Sequence, residues 1–302
     1  MNRFKRILAS VLCLGVIASF SGCGNTSTSS ASSEKPTIRV GSKDFTEGLI
    51  VSEIYALALE KAGYPVERVF DISGSLVHTA LTSNQIDLYP EYTGTGLLSV
   101  LGMDLITDPQ QVYDTVKEEY EKQFQITWLD YAQANDGQGM VIRTDVAQKL
   151  GISTISDLQA HASELRFASQ GEFDVRADGL PALEAMYGAF DWKSTKVYDG
   201  GLKYQVLAND EADVTVGYTT DGALADTDTY TSLIDDKQVW PPYNLAPIVR
   251  DDVLEASPEI ADVLNSVSAK LDTATLTQMN AKVDVEKQEY EDVAAEFFNS
   301  IQ

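Results

Sequence analysis

The sequence predicts an α/β chain folded as two lobes, and three observations carry that reading. Short β-rich runs alternate with segments of helical apolar spacing from residue 37 onward, a pattern that builds sheets with helix crossovers. The alternation starts afresh near residue 139, as though a second domain begins there. Two extended stretches, near residues 132–140 and 240–247, then link the two halves and leave a cleft between them.

The elements follow in order. The first residues, MNRFKRILASVLCLGVIASFSGC, have a basic head, an apolar run too short to span a bilayer comfortably, and Ser-Gly before Cys23. That is an export signal over 1–22 resembling a bacterial lipobox, with Cys23 as the lipidated residue of a lipoprotein and Phe20 where Leu is usual. GNTSTSSASSEKP then reads as a flexible tether, residues 23–36. TIRVGSKDF predicts a strand, Thr46 an N-cap, and EGLIVSEIYALALEKAG a helix stopped by Gly63. PVERVFDI predicts a second strand, SLVHTALTSN a helix, and QIDLYPEY a third strand, in a largely parallel sheet. GMVIRTD, LRFASQG and DVTVGYTTDG predict strands of a second lobe, with helices over DGLPALEAMYGAF and GGLKYQVLANDEA. DKQVWPPYNLAPIVR crosses back, and the segments from VLEAS to NAKV and EDVAAEFFNSI are helical. Residues 37–135 with 246–302 are thus assigned to lobe 1, and 136–245 to lobe 2.

Composition narrows the function. Cys13 and Cys23 are the chain's cysteines, so once the signal is removed no disulfide can form within the body. The formal charge is −24; loss of Arg3, Lys5 and Arg6 with the signal leaves 19 basic against 46 acidic residues, or −27. Such a charge excludes nucleic acid as a partner. Signatures of a nucleophile elbow, a P-loop, a zinc protease or a calcium loop are missing, and no metal or cofactor is expected. His78 falls within a predicted helix. A hydrolase using the carboxylates Asp87 and Glu91 is the weak enzymatic alternative, since one strand rarely supplies both sides of a scissile bond.

Ligands of such sheets gather where strands end and helices begin. GSKDFTE and EYTGTG stand at such ends. Tyrosines also fall at strand ends and crossings: Tyr89, Tyr92, Tyr131, Tyr218 and Tyr243. Converging ring faces suit a quaternary ammonium, which cannot donate a hydrogen bond and is held by cation–π attraction of about 0.5–2 kcal/mol per contact.

Five runs, VGSKDFTE, DLYPEYTGTG, FDVRADGLPAL, VGYTTDG and WPPYNLAPIV, resemble in that order the substrate-binding proteins of osmoprotectant ABC importers, which take up glycine betaine, carnitine and choline. The resemblance covers the chain from about Thr37. It implies a two-lobed periplasmic-binding-protein-like (type II) fold that closes about its two crossings, no catalysis, a monomer, and a membrane-anchored extracytoplasmic protein that hands its ligand to an ABC permease. It further implies that Tyr92, Tyr218 and Tyr243 cage a trimethylammonium head, that Lys43 and Thr95 contact the polar tail, and that Arg176 clamps a carboxylate. The family often has Asn-Thr-Tyr-Ala in the first crossing, whereas this chain has ANDGQGM, with Gly137 in the tyrosine's place. Either Tyr131 or Tyr89 fills that gap, or the pocket is more open and lined by Asn135, Asp136 and Gln138. A receptor for an amino acid or another zwitterion such as ergothioneine is the alternative reading.

Overall fold

The computed structural model describes residues 35–175 and 178–302. The signal, Cys23, most of the tether and Arg176 lie outside the described residues.

Among the described residues, ten strands form two five-stranded sheets. The first contains β1 (Ile38–Lys43), β2 (Val66–Ile72), β3 (Leu88–Tyr92), β4 (Ile126–Trp128) and β10 (Leu245–Arg250), in the order β2-β1-β3-β10-β4. The second contains β5 (Gln138–Arg143), β6 (Arg166–Ser169), β7 (Ser194–Val197), β8 (Val214–Tyr218) and β9 (Tyr230–Ser232), in the order β7-β6-β8-β5-β9. Both sheets are mixed rather than largely parallel. β1 runs parallel to β2 and β3, but β10 is antiparallel to β3 and β4. β5 is likewise antiparallel to β8 and β9. The reason is topological: a strand that crosses from the other lobe enters its sheet from the cleft end and must run against its neighbours.

Helix Thr46–Lys61 follows β1 directly. Phe45, not Thr46, occupies its N-cap, and Thr46 Oγ1 donates instead to Asp284 Oδ1 at 2.6 Å. This helix, with Glu259–Ser268, Thr273–Asp284 and Tyr290–Ser300, covers one face of the first sheet. Val77–Thr82 and Pro109–Phe124 cover the other. The latter helix is polar along most of its length and buries Val112, Tyr113, Val116 and Tyr120, too sparse a stripe to stand out in the sequence. Its start is nevertheless well specified, because Asp108 caps it by accepting from Gln111 N and Pro109 takes the first turn.

β3 is buried at every residue, between two cores. Its alternation sends Tyr89 and Glu91 one way and Tyr92 the other. The two crossings lie side by side. Asn135 and Asn244 form a β-bridge, Asp136 N donates to the Tyr243 carbonyl at 3.0 Å, and Leu245 N donates to the Ala134 carbonyl at 3.2 Å. No described helix is long and apolar enough to cross a membrane.

Candidate functional site

The ends of β1, β3 and β8 open on one cleft of about 490 Å³. Lys43 closes β1 and is followed by Phe45, Thr46 and Glu47 at the start of the next helix. Tyr92 closes β3, with Thr95 and Ser99 on the helical turns after it. Tyr218 closes β8, and Thr220 and Asp221 sit on the following turn. Asp136 and Tyr243 come from the two crossings. Helix Thr273–Asp284 adds Asn280 and Asp284, and Lys203 reaches in from lobe 2.

Four rings line the cleft, Phe45, Tyr92, Tyr218 and Tyr243. Tyr92 is 4% exposed and its hydroxyl donates to Glu47 Oε1 at 2.7 Å. Phe45 leans on it, ring centroids 6.2 Å apart. Burial, then the neighbouring Glu47 charge, pushes the Tyr92 phenol well above its usual value, so it stays a neutral donor. Tyr218, by contrast, is 42% exposed. Tyr243 packs flat on the backbone of Gly94, where a Cβ would lie 2.7 Å from the ring. Gly94 therefore lets Tyr243 approach, while Gly96 makes room for Trp128 in the core (a Cβ there would stand 2.7 Å from its ring) and not for a ligand.

Lys43 lines the cleft, yet its Nζ lies 2.5 Å from Glu91 Oε1 and 5.1 Å from the Tyr92 ring centre. Glu91 is structural. It is buried and also accepts from Tyr89 OH at 2.8 Å and Tyr92 N at 2.7 Å. Lys203 Nζ is paired with Asp221 Oδ2 at 2.6 Å. Asp221 also accepts from Tyr204 OH and from Tyr218 N, which fixes the turn carrying Tyr218.

The remaining expectations divide. Thr95, Asp136 and Gln138 line the cleft, and Gln138 donates to Asp178 at 3.1 Å. Asn135 does not line it; its Oδ1 accepts from Tyr243 N at 2.6 Å and so holds the second crossing in place. Tyr89 is fully buried in the core behind β3, because it shares a face with Glu91 and not with Tyr92. Tyr131 packs at a tilt against Tyr113, ring centroids 4.9 Å apart, and donates to Gln110 at 3.3 Å, away from the cleft. Neither tyrosine fills the space at Gly137, where a Cβ would meet nothing closer than 3.6 Å. Asp87 lies at the far end of β3, bound by Arg39 and Arg250, so neither member of the proposed hydrolase pair lines the cleft. His78 is half-buried, its ring edge-on to Tyr120 and Phe124 and its two nitrogens out of reach of solvent.

Residues that sequence spacing could not single out are Phe45, Glu47, Lys203, Thr220 and Asn280. Glu47 and Thr220 stand inside the runs SKDFTE and GYTTDG at strand ends, which is the signal that could have found them. Asn280 Nδ2 joins them, donating to Glu47 Oε2 and to the Thr220 carbonyl, each at 2.8 Å. Thr220 Oγ1 donates to Asp136 Oδ1 at 2.6 Å. Burial raises the Glu47 carboxyl above its ordinary range despite its donors. Burial, and then the charge of Glu47, pushes Asp136 up to about 8.

Comparison with known proteins places this architecture. Residues 36–300 match the family model described as the substrate binding domain of ABC-type glycine betaine transport system. A glycine-betaine-binding protein of Pseudomonas aeruginosa is 34% identical, over 98% of this chain and 94% of its own length. An ergothioneine transport permease/ergothioneine binding protein of Helicobacter pylori is 31% identical over 89% of this chain and 48% of its own length. A crystal structure of a glycine betaine/carnitine/choline ABC transporter superposes with a TM-score of 0.81 at 27% identity, covering 87% of this chain and 98% of that one. The chain belongs to the family of substrate-binding domains of ABC-type glycine betaine transport systems.

Proposed function

We propose that this ABC substrate-binding protein captures a quaternary ammonium compound outside the cell membrane, tethered there through a lipidated Cys23, and delivers it to a permease. The observation that carries the reading is the convergence of Phe45, Tyr92, Tyr218 and Tyr243 from both lobes on one cleft. A trimethylammonium head offers no N–H, so ring faces and nearby carboxylates are what can hold it. The two crossings, around 135–137 and 243–245, are the hinges about which the lobes close. Arg176 stays a proposed clamp for a carboxylated ligand.

A second reading, a larger betaine such as ergothioneine, is favoured by the absence of a tyrosine at Gly137 and by the named relative from Helicobacter pylori. Calorimetric titration with choline, glycine betaine, carnitine, ergothioneine and proline separates the readings. Saturable binding of quaternary compounds with none of proline is the expected outcome. A folded protein that binds none of the quaternary panel, or binds proline as well, overturns the proposal.

A further inference from the structure

The cleft holds more hydrogen-bond acceptors than donors at one place. Glu47 Oε1 and Oε2 accept from Tyr92 and Asn280, and Asp136 Oδ1 accepts from Thr220. Asn280 Oδ1 is buried without a partner although Asn280 is 4% exposed and lines the cleft. Neither Glu47 nor Asp136 is within ion-pair distance of a described lysine or arginine. Lys203 is spent on Asp221 and Lys43 on Glu91. Two carboxylates, linked through Asn280 and Thr220, thus line the cleft with no described cation beside them.

Resting on the function proposed above, we infer that Asp136, with Glu47 and Asn280, selects quaternary ammonium ligands whose far end donates a hydrogen bond, a hydroxyl or a ring N–H, over ligands whose far end is a carboxylate. The donor and the positive charge of such a ligand replace the proton that the pair otherwise retains, and that proton leaves to solvent. A carboxylate at the same place needs the proton kept, as the donor between two acidic oxygens. The two ligand types therefore have opposite pH dependences. Asp136, raised to about 8, is protonated in the free cleft at neutral pH. Affinity for a hydroxyl-bearing cation rises with pH up to that value and levels off above it. Affinity for a carboxylated ligand is level below that value and falls above it. The other groups facing Asp136 do not reproduce this pattern: Tyr92 and Tyr204 are raised far above neutrality, and Asp221 is committed to Lys203, Tyr204 and the Tyr218 amide.

This places a specificity residue where the chain departs from the Asn-Thr-Tyr-Ala pattern, since Asp136 stands in the threonine's position. A threonine there would bring its own donor; an aspartate brings a second anion.

The test is calorimetry on the exported chain carrying Cys23→Ser, which cannot be lipidated, with choline, choline O-methyl ether and glycine betaine between pH 6 and 9. One linked proton allows at most about a tenfold change in affinity per pH unit. Choline is expected to gain up to that slope below pH 8, with proton release read from buffers of different ionisation enthalpy, while glycine betaine stays level there and weakens above pH 8. The ether, which has lost its donor, is expected to bind about tenfold more weakly than choline. Asp136→Asn is expected to flatten the choline profile, and Glu47→Gln to reduce its slope. A flat or falling choline profile, equal profiles for choline and betaine, or divergence retained in Asp136→Asn overturns the inference and leaves the proposed function standing. Absence of all quaternary binding at every pH overturns both.

Discussion

The two lobes are built on one plan and differ at one end. In lobe 1, Arg39 in β1 grips Asp87 just before β3, its Nε on Oδ2 at 3.1 Å and its Nη2 on Oδ1 at 2.6 Å. In lobe 2, Arg166 in β6 grips Asp213 just before β8 in the same fork, at 2.9 and 2.6 Å. The crossing strands dock alike: Arg250 N donates to the Asp87 carbonyl and Arg143 N to the Asp213 carbonyl. Five residues beyond each aspartate stands a cleft tyrosine, Tyr92 or Tyr218. Away from the cleft, then, the lobes repeat the same fork and the same strand docking.

At the cleft end they part. Four residues after the arginine, lobe 1 has Lys43 and lobe 2 has Gln170. One residue before the tyrosine, lobe 1 has Glu91 and lobe 2 has Gly217. Lobe 1 therefore supports its ring on a buried ion pair, whereas in lobe 2 Gln170 merely donates to the Val216 carbonyl at 2.9 Å. Tyr92 is sealed in and Tyr218 is half out in solvent. A shared frame thus carries one prebuilt wall and one exposed ring. Such a division suits a receptor that first meets its ligand on the finished side.

Three measurements would break or sharpen that contrast. Glu91→Ala strands the Lys43 ammonium, the Tyr89 hydroxyl and the Tyr92 amide, and should cost about 3–5 kcal/mol in urea unfolding. A loss below about 1 kcal/mol would mean that the pair does not support the wall. Tyr218→Ala should weaken ligand binding tenfold to a hundredfold, roughly 1–3 kcal/mol, at an unchanged unfolding midpoint. Tyr92→Ala should lose both affinity and stability; if the two variants behave alike, the rings are not differently supported. Finally, Asp87→Asn and Asp213→Asn should each cost about 1–3 kcal/mol and agree within roughly 0.5 kcal/mol. A clear mismatch would show that matching geometry hides unequal roles.

Much of this was legible in residues. The strand ends bearing Lys43, Tyr92 and Tyr218, and the crossings with Tyr243 and Asp136, follow from alternation and punctuation in the sequence. The Glu91 partnership did not. Whether a carboxylate alternating away from Tyr92 meets solvent or a buried lysine depends on the helices that cover the face. Asn280 was invisible for a related reason. It lies 233 residues from Glu47, and no spacing rule marks which polar residue of a distant helix will point into a cleft. Tyr89 and Tyr131 went to the core because aromatic residues at strand ends serve packing as readily as binding. The antiparallel crossing strands eluded alternation too, since direction is set by connectivity and not by local pattern.

The backbone bonding between the crossings has a mechanical consequence. Two ribbons laced together by the Asn135–Asn244 bridge and its neighbouring amides form a flexure, compliant to bending across their common width and stiff to shear and twist. In the closure proposed above, a body joined through such an element swings along one coordinate. The degree of swing is then the single quantity that a docked permease has to read in order to know whether cargo is aboard.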